Sequence, residues 1–216
     1  MSESRDFKDH IYQQLARIGK AISSPKRLEI LDVLAQGTKT VETMAKETGM
    51  SIANTSQHLQ TLHEARLVEY QKKGLYSYYR LADMTVTNLI LSLQLLAEKR
   101  LTEIQRIRDD FYLNRDSIEP IHIEQLMNKL DHENIVLIDV RPKEEYELMH
   151  IPNAVSFPIE ELEEQLNNLP KDREIVAYCR GKYCLLSLQA VELLRAHGYH
   201  AVRLEEGVQE WNAIKS

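Results

Sequence analysis

Cys179 and Cys184 are the only two cysteines of this 216-residue chain, and they lie five positions apart. They bracket a short polar loop that follows an apolar run at 175–178. A thiol between a strand and a helix faces the backbone N–H groups and the positive dipole end of that helix, which favour the thiolate. We therefore predict that Cys179 is a reactive nucleophile, although free cysteine is also common as a small core residue.

The composition and charge of the chain limit the classes of protein to which it can belong. Hydrophobic residues make up 43% of it and charged residues 28%, which is ordinary for a globular protein. The formal net charge of −6 is unevenly divided, since residues 1–112 carry +2 and residues 113–216 carry −8. Only the first half therefore suits nucleic acid. We predict two domains, at 1–112 and 120–216, joined by a polar linker at 113–119.

Membrane attachment is not expected. No apolar run approaches the length of about 18 residues that a membrane helix needs, and the first residues are polar and acidic, unlike a signal peptide. We expect a cytoplasmic protein. In that reducing compartment two cysteines serve catalysis or redox chemistry more often than a permanent disulfide.

The first half has the pattern of helices followed by one β-hairpin. Apolar residues recur at helical spacing within 11–18 and 28–34, which predicts two helices. Two shorter helices are predicted at 40–48 and 51–65, separated by Gly49, which can take the left-handed conformation that ends a helix. This spacing indicates a helix-turn-helix.

The helix predicted at 51–65 has one apolar face and one small, amide-rich face. Ile52, Leu59 and Leu62 form the predicted core face. The opposite face has the side chains that contact base edges and phosphates in DNA. The predicted DNA-binding residues of this helix are Ser51, Ala53, Asn54, Ser56, Gln57, His58 and Gln60.

A β-hairpin is predicted at 67–81, with its turn at Gly74. Its tip carries Lys72 and Lys73, whose positive charges suit DNA phosphates. The helix pair alone could be a generic helical hairpin. A basic hairpin directly after it favours a DNA-binding wing.

The order of these elements, with the segments 56–68 (SQHLQTLHEARLV) and 74–81 (GLYSYYRL), resembles the ArsR family of winged-helix repressors over residues 7–110. The resemblance implies a homodimer formed by helices near 7–20 and 84–112. It also implies that the amide-rich face enters the major groove of a double-stranded DNA operator. Members of the family leave the operator when an inducer binds.

Metal sensing, which many members of this family perform, lacks its usual ligands here. The predicted helix at 40–48 has no cysteine, and residues 84–112 have neither histidine nor cysteine. We therefore predict neither a metal site nor a cofactor. The apolar residues of 84–112 predict one long dimerisation helix, for which a core helix of a monomer is the alternative.

The second half predicts an α/β domain with a parallel sheet. Continuous apolar runs at 135–140 and 174–178 are typical of strands that are buried on both faces. Ligand sites in such sheets lie at the carboxyl ends of the strands, and Cys179 is the first residue past the second run. The helix that begins near Cys184 is expected to aim its N-terminus at the Cys179 sulfur.

Several motifs in this half resemble a rhodanese domain, over residues 118–216. They are 137–141 (LIDVR), Glu144, Tyr146, 150–154 (HIPNA), 178–181 (YCRG), 204–207 (LEEG), Glu210 and Trp211. The resemblance implies that Cys179 attacks a sulfane sulfur, holds it as a persulfide and passes it to a thiol or cyanide acceptor.

The resemblance also assigns supporting roles. The active-site loop is completed by Arg180, Gly181, Lys182, Tyr183 and Cys184. Positive potential at this loop is expected from Arg180 and Lys182. Asp139 and Arg141 are expected to order the loops and the sheet.

Cys184 is a departure from the family pattern. It stands where some members carry an arginine that binds an anionic donor, which argues against turnover with thiosulfate. A related phosphatase loop needs arginine at the sixth position after the cysteine, and Leu185 stands there, so a phosphatase is not expected. Cys184 could resolve a persulfide on Cys179 or could merely fill the start of the helix, and the sequence leaves both open.

The predicted architecture is a mainly α winged helix-turn-helix domain followed by an α/β rhodanese-like domain with a parallel sheet. We predict a DNA-binding transcriptional regulator, a repressor, whose second domain senses or transfers reactive sulfur through Cys179. Its partners would be operator DNA and a sulfane-sulfur donor or thiol acceptor. One alternative is an active sulfurtransferase with an accessory DNA-binding domain. Another is a repressor whose rhodanese-like domain is inert and serves protein contacts.

Overall fold

A computed structural model describes residues 2–112, 119–132 and 134–215. Within these residues the chain divides into two compact units, 1–95 and 96–216. The predicted linker at 113–119 lies outside the described residues except for Glu119, and the predicted domain boundaries stay predictions. None of the described helices is both long and apolar enough to span a membrane.

The first unit contains the predicted helix-turn-helix and hairpin. Its elements are α1 (Ser2–Ile22), α2 (Pro25–Ala35), β1 (Lys39–Thr40), α3 (Val41–Thr48), α4 (Ile52–Glu64), β2 (Val68–Lys73), β3 (Tyr76–Leu81) and the first part of α5 (Met84–Arg100). The strands form an antiparallel sheet in the order β1-β3-β2. The two helices predicted within 11–34, the helix-turn-helix and the hairpin are confirmed.

Local signals fix the turn between α3 and α4. The hydroxyl of Thr40 accepts a hydrogen bond from the Thr43 N–H at the start of α3, and the hydroxyl of Ser51 accepts one from the Asn54 N–H at the start of α4. Gly49 ends α3 with a φ of 65°, which costs glycine less than other residues. These caps set the points at which α3 and α4 begin.

The apolar face of α4 differs from the prediction at one position. Leu59 and Leu62 are fully buried in the core, as predicted. The prediction for Ile52 is wrong, because 55% of this residue is exposed. The first turn of α4 is buried through Thr55 instead, whose hydroxyl donates to the Ser51 carbonyl.

The predicted single helix at 84–112 is interrupted once. α5 ends at Arg100, and α6 (Thr102–Tyr112) begins after Leu101. The Leu101 N–H still donates to the Ala97 carbonyl, whereas the Leu101 carbonyl accepts from the Ile104 N–H only three residues on. The chain therefore tightens locally, as in a 3₁₀ turn. The prediction of one continuous helix is wrong, since the apolar pattern runs on across the break.

The second unit is an α/β domain with a parallel four-stranded sheet in the order β5-β4-β6-β7. Besides the end of α5 and α6, its elements are α7 (Ile123–His132), β4 (Ile135–Asp139), α8 (Lys143–Leu148), β5 (Val155–Ser156), α9 (Leu162–Gln165), a 3₁₀ turn (Leu166–Asn168), β6 (Glu174–Tyr178), α10 (Leu186–Ala196), β7 (Ala201–Arg203) and α11 (Val208–Lys215). The predicted fold class is confirmed. Residues 175–178 of β6 are fully buried between β4 and β7, so Cys179 follows an interior strand.

Candidate functional site

Cys179 lies directly after β6, and only 2% of it is exposed. Its Sγ lies 3.3 Å from the Ser187 hydroxyl oxygen and 3.5 Å from the Cys184 carbonyl oxygen. The loop 179–184 leads into α10, and Ser187 belongs to the first turn of that helix. The cysteine therefore sits between a buried strand and a helix N-terminus.

The surroundings of Cys179 favour its thiolate form. Burial raises the pKa of this thiol, but hydrogen bonds from the side chains of Cys184 and Ser187 and from the backbone of Ser187 and Gly181 outweigh burial and lower the pKa. The pKa of Cys184 is raised, because its thiol hydrogen-bonds to Cys179 and is itself largely buried. The two opposite shifts favour the thiolate on Cys179 and the thiol on Cys184.

Two glycines allow close contacts around the loop 179–184. Gly181 has a φ of 135°, which favours glycine, and a Cβ there would lie 2.7 Å from the Glu210 carboxylate. A Cβ on Gly207 would lie 2.5 Å from the backbone carbonyl carbon of Arg180. The Gly207 N–H also donates to Glu210 at 3.0 Å. The loop is therefore seated against the segment that leads into α11.

Both cations of the loop are paired with carboxylates. Arg180 Nε donates to Glu145 Oε2 at 3.0 Å, and Lys182 Nζ lies 2.8 Å from Glu98 Oε2. The Tyr183 hydroxyl donates to the other Glu98 oxygen at 3.0 Å. These ion pairs offset part of both charges, and the positive potential expected from Arg180 and Lys182 at the sulfur stays a prediction.

Hydrogen bonds keep Glu98 ionised. Burial alone would raise the pKa of this carboxyl group, but the hydrogen bonds from Lys182 and Tyr183 lower it, and the charge of Arg108 adds to the effect. Glu98 belongs to the end of α5, within the second unit. It therefore gives the loop 179–184 a charged contact with that helix.

The predicted supporting pair is a buried ion pair. Asp139 is 0% exposed and Arg141 is 1% exposed, and Arg141 Nη2 lies 2.7 Å from Asp139 Oδ2. The same guanidinium nitrogen donates to the Met149 carbonyl at 2.7 Å. Asp139 is the partner of Tyr178 in the parallel ladder. The pair thus lies beside the residue that precedes Cys179.

Sequence reasoning missed three residues of this site. Ser187 is a buried polar residue among the apolar positions of α10, and that interruption was the available signal. Glu145 lies in a run of charged residues and looks like an exposed glutamate, although it is 4% exposed. Glu98 is 84 positions from Lys182, so no local pattern links them.

The predicted DNA-binding residues lie on the surface of the first unit. Those of α4 and its cap are exposed, apart from His58, which is half-buried; they are Ser51, Ala53, Asn54, Ser56, Gln57 and Gln60. Lys72 and Lys73 are exposed at the end of β2, next to the Gly74 turn. The amide-rich face and the basic hairpin tip are therefore both accessible to a ligand.

Apolar side chains are exposed along α1 and α5. On α1 they are Phe7, Ile11, Tyr12 and Leu15, and on α5 they are Met84, Leu89, Leu95 and Leu96. Exposed apolar rows of this kind mark interaction surfaces. They fall within the two regions for which the sequence predicts dimer contacts.

Two family models match the chain, one in each half. The model of the bacterial regulatory proteins of the arsR family matches residues 24–70, and that of the rhodanese-like domain matches residues 122–214. The HTH-type transcriptional regulator Rv0324 of Mycobacterium tuberculosis is 39% identical over 98% of this chain and 92% of its own length.

Two further relatives each match one half. A sulfurtransferase of Allochromatium vinosum is 33% identical over 44% of this chain and 88% of its own length. The solution structure of a homodimeric winged helix-turn-helix DNA-binding domain from Mycobacterium bovis is 41% identical to this chain. The match covers 44% of this chain and 87% of that domain, with a TM-score of 0.42.

The hydrogen bond from Cys184 to Cys179 predicts how the reactivity of Cys179 depends on pH. Cys184→Ala removes a donor to the thiolate, so the pKa of Cys179 should rise from about 6 to about 7, and alkylation should slow by about twofold at pH 7 and by about tenfold near pH 5. Cys184→Ser keeps a donor and should shift the pKa less. The measurement is the rate of iodoacetamide alkylation against pH, which in both variants reports Cys179 alone. Equal profiles for the two variants would contradict a hydrogen-bonding role.

Proposed function

The chain belongs to the ArsR family of winged-helix transcriptional regulators, in a form that carries a C-terminal rhodanese-like domain, and we propose that it is a repressor controlled by sulfur on Cys179. The observation that carries this proposal is the thiolate-favouring site of Cys179, in a chain whose other half has a DNA-binding fold. Equal operator affinity of the reduced and the sulfur-loaded protein would refute it.

The sulfur step is a transfer from a persulfide donor, R–S–SH. The Cys179 thiolate attacks the terminal sulfur, a new S–S bond forms at Sγ, the S–S bond of the donor breaks, and the thiolate RS⁻ leaves. Cys184 could then attack Sγ, form a disulfide and release hydrogen sulfide. Because the pKa of Cys184 is raised, we infer that this second step is slow and that the persulfide is the signalling form.

Sulfur loading is expected to move the loop 179–184. Cys179 is almost fully buried, and a close-packed interior accepts an extra atom only if its neighbours shift. Two residues of this loop contact Glu98 on α5: Lys182, three positions after Cys179, and Tyr183, four positions after it. The same helix places Val86 in the core of the first unit. We infer that α5 carries the change to the DNA-binding unit.

The proposed DNA contacts come from the exposed face of α4 and from the hairpin tip. Side chains of the α4 face would read base edges in the major groove, while Lys72 and Lys73 would neutralise phosphates. The proposed operator-binding form is a homodimer through α1 and α5, which the exposed apolar rows on these helices support. A dimer would present two such surfaces to a two-fold symmetric operator.

The two lysines at the tip of the hairpin predict how the affinity for DNA depends on salt concentration. Lys72→Gln with Lys73→Gln should flatten the slope of log affinity against log salt concentration by about two, because two phosphate contacts are lost. The measurement is fluorescence anisotropy with a duplex that the wild-type protein has selected from a random pool. A control variant, Lys143→Gln with Lys171→Gln, removes two charges from the second unit. If both double variants have the wild-type slope, the wing does not contact phosphate.

A second candidate function is catalytic sulfur transfer, which the similarity to the Allochromatium vinosum sulfurtransferase favours. In this case the Cys179 persulfide would pass its sulfur to a thiol acceptor and react again. Steady release of product over many turnovers, together with a DNA affinity that ignores sulfur loading, would establish this function instead.

A further inference from the structure

The segment 204–207 touches the backbone of Cys179 itself. A Cβ on Gly207 would lie 2.7 Å from the Cys179 carbonyl oxygen and 2.5 Å from the Arg180 carbonyl carbon. In a close-packed interior, such a contact passes a displacement from one side to the other. A shift of the loop 179–184 toward this segment therefore displaces the segment as well.

Glu205 links the segment 204–207 to α6. This residue is 2% exposed, and its carboxylate pairs with two arginines. Arg203 Nη2 lies 2.8 Å from one carboxylate oxygen, and Nη2 of Arg108, a half-buried residue of α6, donates to the other. Separating a buried pair of this kind is costly, because it leaves a charge without its partner. The segment and α6 are therefore held together at Glu205.

Arg108 also acts on the contact between the loop and α5. Its positive charge helps to lower the pKa of Glu98, the carboxylate that holds Lys182 and Tyr183. Glu98 lies before the break at Leu101, and Arg108 lies after it. Arg108 therefore joins the two contacts that the loop makes, one with α5 and one with the segment that carries Glu205.

We propose that Arg108 is a positioning residue through which α6 follows the sulfur state of Cys179. The proposal rests on the proposed sulfur uptake by Cys179 and specifies how the loaded site is read. An extra sulfur atom on Sγ displaces the loop, the loop displaces the segment 204–207, and Glu205 moves together with the guanidinium of Arg108. Because a single residue separates α6 from α5, the displacement reaches the helix that enters the core of the first unit.

The first measurement is amide hydrogen exchange of the full-length protein, reduced and loaded with cysteine persulfide. In wild type, loading should change the exchange of both the loop 179–184 and α6. In Arg108→Gln, which removes the charge and keeps a polar side chain, loading should still change the loop, but the change in α6 should be lost. The proposal is overturned if wild-type α6 exchanges equally in both states, or if its change persists in Arg108→Gln.

The second measurement is the ratio of the operator dissociation constants of loaded and reduced protein. Arg108→Gln should lower this ratio by about threefold or more, while it takes up one sulfur atom as wild type does. Arg108→Lys keeps a cation and should retain more of the ratio than Arg108→Gln. A ratio in Arg108→Gln equal to that of a responsive wild type would count against the proposal.

The matched control is Arg106→Gln, which removes one charge from an exposed position of the same helix. This variant should keep the wild-type ratio and the wild-type exchange of α6. If it lowers both as much as Arg108→Gln does, the contact with Glu205 is not responsible and the proposal is wrong. A wild-type ratio of one, together with an exchange response of α6 that depends on Arg108, would refute the proposed repressor function and support the role of Arg108.

Discussion

Replacing Cys179 by serine is expected to abolish sulfur uptake. A serine hydroxyl is not ionised near neutral pH and does not attack a persulfide. Cys184 does not take over, because it is half-buried and this burial still raises the pKa of its thiol after the hydrogen bond with Cys179 is lost. The mass of the intact protein after treatment with cysteine persulfide should therefore rise by one sulfur atom in wild type and not at all in Cys179→Ser.

The matched control for this experiment is Cys184→Ser, which keeps Cys179 and a hydrogen-bond donor beside it. This variant should still take up one sulfur atom. If Cys179→Ser takes up sulfur as wild type does, or if Cys184→Ser takes up none, the assignment of Cys179 as the nucleophile is wrong.

Removal of one partner from the buried ion pair should have the largest effect on stability. Asp139→Ala removes the carboxylate that pairs with the buried guanidinium of Arg141, and the loss of one partner from such a pair costs about 3–5 kcal/mol. Trp211 is the only tryptophan of the chain and is buried in the second unit, so its fluorescence follows the unfolding of that unit in urea. The free energy of unfolding measured in this way should fall by that amount.

An exposed ion pair provides the control. Glu147→Ala breaks the pair between Lys143 and Glu147, which are mostly exposed, and should cost no more than about 1 kcal/mol. An Asp139→Ala variant that is no less stable than Glu147→Ala would show that the buried pair does not hold the end of β4. In that case the supporting role predicted for Asp139 and Arg141 would have to be abandoned.

Local patterns explain what could be predicted of the fold. Gly49 and the cap at Ser51 fix the helix-turn-helix within a few residues, and the apolar run before Cys179 marks a buried strand. The core position predicted for Ile52 is wrong because periodicity alone places this apolar residue on the core face of α4. The buried residues at this end of the helix are Thr55 and Leu59. The break at Leu101 has no signal in the apolar pattern.

The electrostatics of the site could not be predicted, because they depend on contacts between distant segments. The sequence places Arg180 and Lys182 beside Cys179 and indicates a positive loop. The fold then brings Glu145 and Glu98 to them from positions 35 and 84 residues away. A charge run shows which cations are present, and only the tertiary structure shows which of them are already paired.

The measurement that tests the central claim most directly is the affinity of one protein sample for operator DNA before and after sulfur loading. The duplex selected by the wild-type protein is titrated with reduced protein and with protein whose Cys179 has been converted to a persulfide by cysteine persulfide, with loading checked by mass. Coupling between sites in regulators typically changes affinity by about 5–150-fold. We predict that loading weakens binding within this range and that dithiothreitol restores it. Identical titration curves for reduced and fully loaded protein would contradict the account.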